Sequence, residues 1–265
     1  MVNDNETVNV YLVAAGQFHD IDFARLEILK LLAEDDRIRT RVAANYHDLE
    51  AIDAADFLIT YTCNLVPEHA EQEALRDFVR GGKRWFALHG TNSILKFLPD
   101  SGGVDCPEIA PVLMQTLGTQ FIAHPPIQPF QVEITDPEHE LVSGIESFET
   151  DDELYLSRIH GDLHLLLHAH YTGPAEGFVE GQWTDEEPRP LYYINHVGSG
   201  EVLYLNLGHC RGHYDMQPMI PFYPQIERGS WQHEQFYELL RRGIRYCADA
   251  ALASNRDYRI PIGDK

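Results

Sequence analysis

The chain has 265 residues, enough for one large α/β domain that buries roughly three quarters of its unfolded surface. Its 44% hydrophobic and 23% charged residues form a composition that folds, which excludes wholesale disorder. Acidic residues outnumber basic ones 42 to 20, and the net charge of -22 repels phosphate backbones and anionic headgroups, so neither nucleic acid nor membrane is expected as a partner.

Residues 8–15 (VNVYLVAA) form a nearly continuous apolar run closed by Gly16, the pattern of a parallel strand covered on both faces. Asp20 or Asp22 can cap a helix that runs to Leu32 on a broad apolar face. Residues 40–44 read as a second strand and residues 56–61 (DFLITY) as a third. Pro67 opens a helix that stops at Gly81-Gly82, and residues 84–88 form a fourth strand with His89 at its carboxyl end. Strands alternating with helices at this spacing imply a doubly wound, mainly parallel sheet, whose ligands bind outside the carboxyl ends of the strands. Three loops answer to that position: residues 16–20, 62–66 and 89–93.

Past Lys96 the pattern changes. Residues 98–107 are rich in Pro, Gly and Asp and read as a surface insertion, followed by a short helix over 111–117. FIAHPPIQPFQVEIT supplies a proline-punctuated loop and a strand over 130–135, and DDELY leads toward an apolar strand over 163–170. Residues 191–196 and 202–207 flank the turn VGSGE as a hairpin that ends at Gly208-His209. An amphipathic helix over 232–249 closes the chain. With no internal repeat and no long linker, residues 1–265 read as a single domain with a core over about 8–248, an insertion near 98–107 and an elaborated segment near 211–231.

The four cysteines, Cys63, Cys106, Cys210 and Cys247, are scattered without a CxxC pair, so neither a disulfide framework nor a zinc ribbon is expected. The first fifteen residues lack a basic stretch ahead of a long apolar core, so they read as a strand and not a secretion signal. No segment approaches the ~20 apolar residues that cross a bilayer. These features point to a reducing cytoplasm.

Fourteen histidines are present, and His19, His89, His124 and His209 lie where strands end. Histidine suits proton transfer near neutral pH and binding of transition metals. In the run Asp151-Asp152-Glu153, Glu153 is the first choice for a carboxylate drawn into a cleft, with Asp152 next. A second arrangement takes His89, His124, His209 and a carboxylate as ligands of a divalent metal such as zinc, although no pair has HExxH spacing. Cys63 and Cys210 follow strand ends but neither sits in a glycine-flanked elbow, so covalent cysteine catalysis is not expected.

GKRWFALHGTNS after the helix end DFVRGG, LGTQFIAHP, ITDPEHELVSGI leading to DDELY, and GSGEVLYLNLGH before a final helix together resemble the ThuA-like (trehalose utilisation) family over about residues 8–248. The resemblance implies a flavodoxin-like, class I glutamine amidotransferase-like α/β fold and an association with the use of disaccharides and other sugars. In related amidotransferases a cysteine occupies the elbow where His89-Gly90 stands here, and a histidine stands near His209. The third triad position falls close to Arg211, a cation where an acid is needed, so thioester chemistry on glutamine lacks both its nucleophile and its orienting acid. The shortened GGKRW turn, the 98–107 insertion and the MQPMIPFYPQIERGS segment depart from the family pattern around the cleft.

The sequence therefore leads to three expectations. The first is an enzyme or enzyme-derived protein of carbohydrate metabolism in which His89 and His209 transfer protons or contact sugar oxygens and Glu153 orients one of them. Its ligand is a small carbohydrate, with His19, Asp20, Asn92, His124, Asp152 and Tyr155 as further contacts. The second is metal-assisted hydrolysis or isomerisation in the same cleft. The third is a non-catalytic sugar-binding or interaction protein. A homo-oligomer is compatible with all three.

Overall fold

The computed structural model describes residues 7–100 and 102–257. Strand β1 (Val8–Gly16) is followed by helix α1 (Ile21–Leu32), β2 (Ile38–Ala43), α2 (Leu49–Asp53), β3 (Phe57–Cys63), α3 (His69–Arg80) and β4 (Arg84–Leu88). The short helix α4 (Pro111–Leu117) and the long α5 (Glu234–Asp257) come later. One sheet runs in the order β2, β1, β3, β4, Gly200–Leu205, Arg189–Val197, His164–Ala169, Phe130–Ile134, Phe148–Thr150. The first five are mutually parallel, and the strands beyond Gly200–Leu205 add on antiparallel. The parallel part has the order of a flavodoxin-like fold, with its reversal of direction at β1 and β3.

Alternate side chains of the central strands enter two separate cores. Phe86 and Leu88 of β4 join Leu12, Ala14 and Ile59 under α1 and α5, while Trp85 and Ala87 join Tyr11, Val13 and Leu58 under α2, α3 and α4. A strand buried on both faces reads as an unbroken apolar run, which is why VNVYLVAA and WFAL stand out in the sequence. The result is a three-layer α/β/α arrangement.

Local signals fix the helix ends near the cleft. Asp20 caps α1 by accepting the Phe23 N–H at 3.1 Å, and Glu68 and Glu71 form a reciprocal capping box on α3. Gly16, at φ 122°, lets β1 leave the sheet against Cys63, where a Cβ would strike the Cys63 backbone.

Two elements differ from the sequence expectation. Thr119–Ala123 and Leu156–Ile159 pair as an antiparallel ribbon, whereas the proline-rich surroundings of FIAHPP suggest a loop. Helix α5 extends to Asp257, because the alanine-rich AALAS continues the helix past Asp249. The 98–107 insertion is framed by a two-stranded pairing of Lys96–Phe97 with Val104–Asp105. No helix among the described residues is long and apolar enough to cross a membrane.

Candidate functional site

Three loops at the carboxyl ends of β1, β3 and β4 each contain a non-glycine residue with left-handed backbone: Phe18 (φ 70°), Asn64 (φ 54°) and His89 (φ 42°). Such residues are uncommon, and their gathering at one sheet edge singles that edge out as a candidate site. At His89 the chain turns from β4 directly into the single-turn helix His89–Asn92. Gly90 is required there, since a Cβ would lie 2.7 Å from the Thr62 carbonyl oxygen. The Tyr204 hydroxyl clamps this elbow, donating to the His89 carbonyl at 2.6 Å and accepting the Asn92 N–H at 2.8 Å.

The elbow aims His89 at a cluster of buried polar side chains. His89 Nε2 lies 2.8 Å from His19 Nε2, 3.2 Å from the Tyr155 hydroxyl and 3.6 Å from Glu153 Oε2. His19 Nε2 is 3.5 Å from Glu153 Oε2, and His209 Nδ1 is 3.3 Å from Glu153 Oε1 without meeting hydrogen-bond geometry. The outer ring nitrogens are all occupied. His89 Nδ1 reaches the Asn206 carbonyl at 2.9 Å, His19 Nδ1 the Gln17 carbonyl at 3.3 Å, and His209 Nε2 a Glu227 carboxylate oxygen at 2.8 Å. Each partner is an acceptor, so each outer nitrogen carries the proton.

Glu153 and Tyr155 reach the cluster from the segment leading into the Leu156–Ile159 strand, and His124 from the end of the Thr119–Ala123 strand paired with it. Arg211 joins the carboxylates, donating to Glu153 Oε1 at 3.0 Å, to Glu227 Oε2 at 2.8 Å and to the Phe18 carbonyl at 3.0 Å.

Burial and charge pull these groups in different directions. Burial drives His19 down to about 3, against the opposing bond from Glu153. Burial alone would also lower His209, but the nearby Glu153 carboxylate and the bond to Glu227 raise it to about 9. Desolvation disfavours the Glu153 carboxylate, yet the surrounding histidines outweigh it and hold its pKa well below the usual carboxylate range. Burial pushes the Cys63 thiol up, away from thiolate chemistry.

The cluster floors a cavity of about 310 Å³. His19, Glu153, Tyr155 and Arg211 face it, His124 stands at its side, and Phe18, Phe97, Phe121 and Phe178 supply apolar walls. Both elaborated segments contribute: Phe97, Gly102 and Val104 flank or belong to the 98–107 insertion, while Met216 and Tyr223 come from the 211–231 stretch.

Of the residues singled out in the sequence, His89, His209, Glu153, His19 and Tyr155 converge, with His124 3.8 Å from Glu153. His19 lines the cavity and also belongs to the buried centre. Its left-handed neighbour Phe18 turns the chain inward, which no local sequence signal announces. Asp20, Asn92 and Asp152 do not line the cavity. Asp20 caps α1 and pairs with Arg228 at 3.0 Å, and the buried Asn92 donates to Thr119 Oγ1 at 2.7 Å. Asp152 accepts the backbone N–H groups of Gly208, His209 and Ser230 at 2.8, 3.0 and 2.9 Å. All three support the site from behind.

The sequence reading misses Glu227. His209 does have an acid partner, supplied by the 211–231 segment in place of the position held by Arg211. Eighteen residues of irregular chain separate Glu227 from His209, so spacing carries no signal for the pair. Among the described residues two groups have metal-binding chemistry within reach, the buried His19, His89, His209 and Glu153, and the more open Glu133, His168 and His170. In the first, His19 takes the place expected for His124.

The fold has solved counterparts. A ThuA-like protein from Bacteroides uniformis is similar with a TM-score of 0.64 at 17% identity, covering 93% of this chain and 94% of that one. A ThuA-like protein from Parabacteroides merdae is similar with a TM-score of 0.58 at 15% identity, covering 91% and 90%. At these identities the likeness speaks for the fold. A search of curated protein sequences finds no match to the chain. The family model described as trehalose utilisation matches residues 8–221, and the chain belongs to this ThuA family.

Proposed function

We propose that the protein binds, and acts on, a small uncharged sugar or sugar derivative in the cavity above His19, His89, His209 and Glu153. The observation that carries the reading is the convergence of these side chains and the Tyr155 hydroxyl beneath a cavity of about 310 Å³ walled by aromatic rings. A pocket at the small end of the ~300–1,000 Å³ range suits a single sugar ring, with apolar walls for its C–H faces and a few polar groups to fix its oxygens. The family's association with trehalose utilisation supports the same class of ligand. A neutral ligand fits the charges. Arg211, the guanidinium at the cavity, is committed to two carboxylates and a carbonyl, and Glu176 adds a further acid to the lining. A sugar phosphate would find no uncommitted cation among these.

Glutamine hydrolysis is not part of the proposal. The elbow position is a histidine, and Cys63, the cysteine on the cavity lining, is buried with its thiol shifted up. In this reading Tyr155 and His19, on the cavity lining, exchange protons with hydroxyl or carbonyl groups, with His89 and His209 behind them, a contribution of about 10²- to 10⁴-fold in rate where it operates. The test is a panel of neutral mono- and disaccharides and their phosphate esters, assayed for saturable binding and turnover with wild type and His89→Ala. The proposal expects a neutral sugar to bind and His89→Ala to lose turnover while remaining folded. Undiminished turnover in folded His89→Ala would remove the proposed site.

A further inference from the structure

We propose that His19 Nε2, His89 Nε2, His209 Nδ1 and the Glu153 carboxylate are the ligands of a divalent first-row transition-metal ion at the floor of the cavity. The inference deepens the ligand-binding reading above and rests on it for what the ion would act upon. The existence of the centre stands on geometry.

His19 and His89 each give the Nδ1 proton to a backbone carbonyl, which can only accept. A neutral ring so bonded presents a lone pair at Nε2, and these two nitrogens face each other at 2.8 Å. Two lone pairs at that distance repel unless a cation lies against both. His209 repeats the pattern in the other tautomer. Its Nε2 proton goes to Glu227, and Nδ1 is left buried, without a hydrogen-bond partner, facing Glu153, where a metal ion would take the place of the second ring proton. Metal-binding histidines characteristically donate their other ring N–H to a carbonyl or carboxylate, which fixes the tautomer and aims the ligand nitrogen. All three rings do so here.

An ion held at about 2.0–2.1 Å by four tetrahedral ligands keeps their donor atoms about 3.3–3.4 Å apart. The separations are 2.8 Å for His19 to His89 and 3.5 and 3.6 Å from those nitrogens to Glu153 Oε2, while His209 Nδ1 lies 3.3 Å from the other carboxylate oxygen, and ligand atoms of all four residues lie within 4.8 Å of one another. Small side-chain shifts bring such a set around one ion. Arg211 holds Oε1 of the same carboxylate, which leaves Oε2 turned toward His19 and His89.

The donor set selects the kind of ion. Three imidazoles and one carboxylate lack the thiolates of a soft-metal site and the six or more oxygens of a calcium site, and they suit zinc and its neighbours. His89 and His209 are fully buried, whereas His19 and Glu153 line the cavity, so one side of the ion faces the ligand space. From there it would polarise a sugar hydroxyl or carbonyl oxygen as a Lewis acid, next to the Tyr155 hydroxyl.

The test uses the full chain, freed of any histidine tag, stripped with chelator and then dialysed against Zn(II) or Co(II). The centre predicts one retained equivalent per chain by elemental analysis, and visible absorption of low-coordinate Co(II). Glu153→Gln and His209→Gln should each weaken retention at least tenfold with circular dichroism unchanged. His168→Ala, in the open Glu133 group, should retain the ion. A wild-type chain that retains neither ion overturns the centre without recourse to variants, as does retention lost in His168→Ala but kept in Glu153→Gln. Sugar titration of the stripped protein separates the two readings. Sugar binding with no metal retained overturns the centre and leaves the cavity reading, while metal retained by a chain that binds no sugar upholds the centre and overturns the cavity reading.

Discussion

Asp152 accepts the backbone N–H of His209 at 3.0 Å, and this bond ties the segment after the Gly200–Leu205 strand to the segment that carries Glu153. The same carboxylate takes the N–H groups of Gly208, Ser230 and its neighbour Glu153, so one buried side chain satisfies four backbone donors. Removing it strands those donors away from water. Asp152→Ala is expected to cost about 2–5 kcal/mol, since hydrogen bonds to a charged acceptor are worth about 1.5–3 kcal/mol each and are not additive. Denaturant unfolding measures the loss, and a change under 1 kcal/mol would show that water replaces the carboxylate.

Glu227 orients His209 through the 2.8 Å bond to Nε2 and is itself held by Arg211 and the Tyr223 hydroxyl. Glu227→Ala is expected to weaken ligand binding or turnover about 10- to 100-fold, the usual cost of losing such a supporting partner. Glu227→Gln keeps an acceptor oxygen and should recover most of the loss. Equal defects in both variants would mean that the charge, not the orientation, is what His209 needs.

The legibility of the site follows from how local each signal is. His89 could be read because an apolar run stops on it at a strand end, and His209 because the hairpin leads to it. Glu153 was visible as an acid at the head of an apolar stretch. The inward turn of His19 depends on the left-handed backbone of Phe18 and on packing beside His89, which belong to tertiary structure. Glu227 reaches His209 across an irregular segment whose prolines and methionines announce only a loop. The parallel half of the sheet was legible for the opposite reason, since strands buried on both faces appear as continuous apolar runs. The Thr119–Ala123 ribbon strand was hidden by the prolines that follow it.

The Tyr155 hydroxyl lies 3.2 Å from His89 Nε2 and faces the cavity. Tyr155→Phe removes one oxygen and keeps the ring packing against Phe121. The expected result is a fall in turnover of at least tenfold with Tm shifted by only a few degrees, measured by steady-state kinetics beside thermal unfolding. Unchanged kinetics would reassign Tyr155 to packing alone.

All four cysteines are buried and free, and burial raises Cys106, Cys210 and Cys247 each to about 12. Native protein should therefore react with iodoacetamide far more slowly than protein unfolded in guanidinium, and glutamine should release no ammonia. Rapid labelling of Cys63 in the folded state, seen by mass spectrometry, would contradict the placement of its thiol.

The aromatic cavity over His19, His89, His209 and Glu153 is proposed to hold a small neutral sugar. A crystal structure with the tightest ligand from the neutral-sugar panel tests it directly. One sugar ring is expected in the cavity, with an oxygen within about 3.2 Å of the Tyr155 hydroxyl or a cluster side chain. A sugar bound elsewhere while this cavity holds only water would contradict it.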